Sequence, residues 1–94
     1  MHLPNTWKPK LASSASMRWD KLRSQWVIQS PERLFYADEA AASIILRCDG
    51  NRSLQTIVGE LEAEFDAPHD QIEKDVQELL QGLISDGVIV HGTG

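Results

Sequence analysis

The apolar period of this chain changes once, at Asp38, and that change limits what the chain can fold into more than any other feature. Upstream, Met17 and Trp19, then Trp26 and Ile28, recur at every second residue around the polar stretch Asp20-Lys21-Leu22-Arg23-Ser24. Successive side chains of a strand point to opposite faces, so this alternation predicts two short antiparallel strands joined by a turn. Pro31-Glu32 suits a second turn, because proline presets φ there, and Arg33-Leu34-Phe35-Tyr36 reads as a third strand. Downstream of Asp38 the apolar residues recur with the helical period.

Asp38 can cap a first helix, which continues through Ala40-Ala41-Ala42 to about Cys48 and stops at Asp49-Gly50. Ser53 can cap a second, whose Leu54, Ile57, Val58, Leu61 and Phe65 form one face. A third begins near Pro68, with Asp70 and Glu73 spaced as a capping box, and carries the stripe Ile72, Val76, Leu79, Leu80, Leu83, Ile84 up to Asp86-Gly87. Val88-Ile89-Val90 reads as an extended tail. Strands followed by helices give an α+β fold, a three-stranded antiparallel sheet followed by three helices. The second and third helices can form a helix-turn-helix, and the hairpin beside them makes it a winged helix-turn-helix. Residues 1–16 hold Pro4, Pro9 and Ala12-Ser13-Ser14-Ala15 without an apolar period, and read as a flexible lead-in to a domain over 17–91.

At 94 residues there is room for one thin-cored domain, and deep enzyme clefts are not expected. The longest apolar runs, Ile44-Ile45-Leu46 and Val88-Ile89-Val90, fall far short of the roughly 20 residues that span a bilayer, and no signal-like start is evident. No membrane association and a cytoplasmic location are therefore expected. Cys48 is the only cysteine, which excludes an intramolecular disulfide or a cysteine-based zinc site.

Charge is divided unevenly. Residues 1–36 carry six Lys/Arg against Asp20 and Glu32, a net of +4, whereas residues 37–94 carry Arg47, Arg52 and Lys74 against twelve acids, a net of −9. The segment Asp66–Asp86, which would hold the recognition helix of a DNA-binding helix-turn-helix, has six acids and only Lys74. Phosphate repels such an element, so nucleic acid is not an expected partner.

Catalysis has little to draw on. His2, His69 and His91 are dispersed, with no spacing that sets two metal ligands on one helical face, and read as surface or terminal histidines. Glu60, Glu62, Glu64 and Asp66, alternating by two, spread around a helix as a solvated face. Cys48 continues an apolar stripe and reads as a small buried hydrophobe. No metal or cofactor is expected. What remains is Leu34-Phe35-Tyr36, an apolar strand at the end of the sheet. An extended chain can add to such an edge; equally, the strand can be packed under a helix or paired with Val88–Val90, and both readings stay open. An exposed edge also leaves a homodimer open.

Lys8-Pro9-Lys10-Leu11, Met17-Arg18-Trp19-Asp20, Trp26-Val27-Ile28, Ser30-Pro31-Glu32-Arg33, Ile45-Leu46-Arg47-Cys48-Asp49-Gly50, Ile57-Val58 with Leu61, Asp75-Val76, Leu79-Leu80 and Leu83 together resemble the pyrroloquinoline quinone biosynthesis protein D (PqqD) family. The resemblance covers about residues 8–91. It departs at Ala37-Asp38, where relatives tend to carry Leu-Asn, although aspartate caps a helix equally well. The resemblance implies a RiPP recognition element, a non-catalytic peptide chaperone of the PQQ biosynthesis pathway. Such a domain binds the ribosomal precursor peptide PqqA and presents it to the radical S-adenosylmethionine enzyme PqqE. It implies a peptide added to the third strand, at Arg33, Leu34, Phe35 and Tyr36, and lying against the third helix at Ile72, Asp75, Val76 and Leu79. The competing reading is a winged-helix transcriptional regulator or protein-interaction module.

Overall fold

The computed structural model describes residues 2–92. Eight elements follow one another: β1 (Pro9–Leu11), β2 (Ser16–Asp20), β3 (Gln25–Gln29), β4 (Leu34–Ala37), α1 (Glu39–Leu46), α2 (Leu54–Phe65), α3 (His69–Ser85) and β5 (Ile89–His91). The fold is α+β. β2, β3 and β4 form an antiparallel sheet in that order, with Met17 opposite Ile28 and Ile28 opposite Phe35. The register puts Met17, Trp19, Trp26, Ile28, Phe35 and Ala37 on one face, toward the helices, and Arg18, Val27, Leu34 and Tyr36 on the other. Between β2 and β3, Asp20 closes the turn by accepting from the N–H groups of Leu22 and Arg23, and Ser24 takes a left-handed conformation.

The core lies between the inner face of the sheet and the three helices. Ile28, Ile44, Leu54, Ile57, Leu61, Val76 and Leu80 are buried in it. Asp38 accepts from the Ala41 N–H at 2.8 Å and Ser53 from the Thr56 N–H at 3.3 Å, so both expected caps form. The first helix ends at Leu46, two residues before the expected Cys48, because Arg47 already serves as its C-cap. The expected capping box at Asp70 and Glu73 is absent. Pro68 occupies the cap position, leaving Asp70 inside the first turn, where its charge complements the helix dipole.

Of the flexible lead-in expected over residues 1–16, residue 1 lies outside the described residues and the stretch from Leu3 to Ala12 is built into the domain. β1 pairs antiparallel with β5, Pro9 opposite His91 and Leu11 opposite Ile89. Leu3 is buried, and its N–H and C=O both bond the side-chain amide of Gln77 on α3. The N–H groups of Leu54 and Gln55 at the start of α2 donate to the carbonyls of Trp7 and Asn5. These partners lie 47 or more residues away, so no local period betrays them. The same pairing decides the tail: Val88–Val90 runs beside the N-terminal segment, not beside β4. Gly92 passes so close to Gly50 that a Cβ on it would come within 2.5 Å of the Gly50 Cα, and a side chain there has no room.

Candidate functional site

β4 is an edge of its sheet, and its bonding phase follows from the turn before it. The Ser30 N–H donates to the Arg33 carbonyl at 2.8 Å, making this a hydrogen-bonded pair. Hydrogen-bonded and non-bonded pairs alternate along an antiparallel ladder. Phe35 and Ala37 therefore direct their N–H groups toward β3, whereas the N–H and C=O of Leu34 and Tyr36 point away from the sheet. The side chains alternate as well. Phe35 packs inward against the core, while Leu34 (51% exposed) and Tyr36 (42% exposed) lie on the outer face. There the Arg23 guanidinium sits 5.7 Å from the centre of the Tyr36 ring.

Two depressions follow the flank of α3. One, of about 270 Å³, lies between β4 and the second half of the helix, bounded by Arg33, Phe35, Glu78, Leu79, Gly82, Leu83 and Asp86. Arg33 closes its end by donating to Asp86 at 3.1 Å. The other, of about 210 Å³, lies among the three helices, with Ile72 and Val76 beside Ala40, Ile44, Leu61, Phe65 and Ala67, and Asp75 at its side. The expected set is thus divided: Arg33, Phe35 and Leu79 share the first depression, Ile72, Asp75 and Val76 the second, and Leu34 and Tyr36 line neither. Ile72 and Val76 are buried core residues that reach the surface only as the wall of that depression. Glu78, Gly82, Leu83 and Asp86 were not expected. Gly82, Leu83 and Asp86 follow Leu79 by three, four and seven residues, and Glu78 precedes Gly82 by four, the spacings that put residues on one side of a helix.

The surroundings are acidic, with Asp70, Asp75 and Glu78 exposed on α3. Cys48 is buried and directs its Sγ to the Ile44 carbonyl at 3.3 Å. Burial, aided by the charge of Asp49, pushes its thiol up to about 12, which disfavours the thiolate.

Two expectations about charged side chains are corrected. Glu60 and Glu64 stay partly exposed but are not spread around the helix. One helical turn apart, both bind Arg47, at 3.0 and 2.7 Å, and Glu60 also takes Arg52 at 3.2 Å. His69 does share a helical face with a carboxylate: its Nε2 lies 3.1 Å from Glu73, and its Nδ1 lies 2.7 Å from Glu62 on α2. The hydrogen bond and charge of Glu62, then those of Glu73, hold the imidazole above its usual range.

The profile of the family described as coenzyme PQQ synthesis protein D (PqqD) matches residues 25–89. The chain is 46% identical over 76 residues to a "PqqA binding protein" of Xanthomonas oryzae pv. oryzae, covering 81% of this chain and 83% of that one. It is 37% identical over 84 residues to a protein of the same name from Rhodopseudomonas palustris, covering 89% and 82%. Among solved structures, it resembles the PqqD truncation of Methylobacterium extorquens PqqCD, a stand-alone RiPP recognition element. The TM-score is 0.75 at 30% identity, with 87% of each chain covered. It also resembles PqqD of Xanthomonas campestris, with a TM-score of 0.56 at 39% identity over 82% of this chain and 86% of that one.

Proposed function

Because this chain belongs to the coenzyme PQQ synthesis protein D family, we propose that it is a peptide chaperone that binds PqqA and presents it to the radical S-adenosylmethionine enzyme PqqE in the cytoplasm. The domain itself performs no chemistry and uses no cofactor. The observation that carries this reading is the free edge of β4: the N–H and C=O groups of Leu34 and Tyr36 face outward beside two apolar depressions along α3. An extended peptide bonds its backbone to that edge and sets alternate side chains toward the helix. Arg33, Leu34, Phe35 and Tyr36 then form the strand side of the site, and Ile72, Asp75, Val76 and Leu79 the helix side. In this reading the β2–β3 hairpin is the wing beside an α2–α3 helix-turn-helix.

Edge pairing suits a carrier. Backbone bonds tolerate sequence, a few pockets and charges select, and the ordering cost of a flexible peptide keeps affinity low enough for release. Titration of the protein with PqqA, followed by amide NMR, tests the reading. Shifts at Leu34 and Tyr36 that move together with those of Asp75 and Leu79 are the expected result. Perturbation confined to the exposed surfaces of α1 and α2 would overturn strand addition.

A further inference from the structure

A concavity of about 670 Å³, larger than either depression along α3, lies between α1 and the end of the β2–β3 hairpin. It shares no lining residue with either depression along α3. Its apolar walls are Trp19 and Trp26, whose rings meet edge to face at 5.5 Å, with Ala42 and Leu46 of α1. Trp19 (48% exposed) and Leu46 (55% exposed) are large apolar groups left open to water, and Leu22 projects fully at the adjoining hairpin tip. Grouped exposure of this kind marks interaction surfaces.

The rim decides what fits. Asp38 and Glu39 lie on it, and no lysine or arginine does. Asp38 is spent on capping α1, whereas Glu39 makes no ion pair among the described residues. Of the nearby cations, Arg23 is paired with Asp20 and lies over the ring of Tyr36, a lining residue, and Arg47 is held by Glu60 and Glu64. An acidic rim repels nucleic acid and anionic lipid, and two copies of this chain would set their Glu39 carboxylates against a like field.

We propose that this aromatic cleft docks a protein partner presenting a bulky apolar side chain beside a lysine or arginine, the cation meeting Glu39 and the apolar group seating on Trp19 and Leu46. Resting on the peptide-chaperone reading, the partner is the enzyme that receives the held peptide. The cleft meets the peptide-binding strand only at its end, at Tyr36 and Ala37, and shares no lining residue with the depressions along α3, so a peptide on Leu34 and the helix flank leaves it open, which hand-over requires.

The test uses Leu46→Glu and Glu39→Lys, both at exposed positions, with PqqE titrated anaerobically and PqqA titrated separately. Each variant is expected to lose about tenfold or more in affinity for PqqE, as removal of an interface anchor does, while keeping the parent's affinity for PqqA. Salt should weaken the parent's PqqE complex and weaken that of Glu39→Lys less. Unchanged PqqE affinity in Glu39→Lys, or a parent dimer that Leu46→Glu dissociates, would overturn the proposal. If Leu46→Glu does not fold, Glu39→Lys decides alone. Failure of the parent to bind PqqA would instead remove the chaperone reading, which sets the two failures apart.

Discussion

The Gln77 side-chain amide bonds both backbone groups of Leu3: its Oε1 accepts from the Leu3 N–H at 2.9 Å, and its Nε2 donates to the Leu3 carbonyl at 2.8 Å. Both residues are buried, so this single glutamine satisfies a buried length of main chain as a neighbouring strand would. It fastens the N-terminal segment to the middle of α3.

Gln77→Leu keeps the volume but orphans both groups of Leu3. A buried polar group without a partner costs about 1–3 kcal/mol. Urea unfolding of the variant should show a loss of that size, and amide exchange near Leu3 should quicken. Unchanged stability would mean that the segment is not held by this contact.

The two faces of β4 should separate stability from binding. Phe35→Ala removes a ring packed on the core and should cost about 2–4 kcal/mol, read from the melting transition. Leu34→Ala, at an exposed site, should stay within about 0.5 kcal/mol of the parent and weaken PqqA binding instead. Equal destabilisation by both would contradict the facing assigned to the strand.

Proline at Leu34 deletes an N–H that points away from β3, so the sheet loses no ladder bond. The variant should remain folded by circular dichroism and lose PqqA binding more completely than Leu34→Ala does. In the parent, the amides of Leu34 and Tyr36 should gain exchange protection when the peptide is added. Full binding by the proline variant would exclude backbone pairing at that position.

His69 should make stability depend mildly on pH. Its pKa is raised in the folded state by Glu62 and Glu73, so the contribution is complete below the unfolded imidazole value and is lost as pH rises through the folded one. Thermal melts should fall slightly across that window in the parent and not in His69→Gln. The exposure of the ring keeps the effect small.

Cys48 should resist thiol reagents in the native protein and react only as fast as the domain opens, since burial and Asp49 hold the thiol up to about 12. Rapid stoichiometric labelling under native conditions would show that the α1 end is looser than its packing implies.

What the sequence determined by itself was local. The two periods placed three strands and three helices, because side-chain direction along a strand or helix repeats over a few residues. Asp38 and Ser53 announced their helices because a capping oxygen bonds an N–H only three residues ahead. Leu34 and Tyr36 were legible as one face of an apolar strand, whereas Asp75 and Leu79 were singled out only through the family resemblance. What only the tertiary structure decided was pairing at long range: Leu3 with Gln77, Lys10 with Val90, and Arg33 with Asp86. Pro4 and Pro9 made residues 1–16 look like a linker, since a three-residue strand and an isolated buried leucine carry no period of their own. Their partners arrive from the other end of the chain, and the division of the candidate site into two depressions depends likewise on how α3 settles against β4 and α1. Such contacts form when the chain closes long loops and fills one core at packed density, a constraint shared by all elements at once and written in no single stretch of sequence.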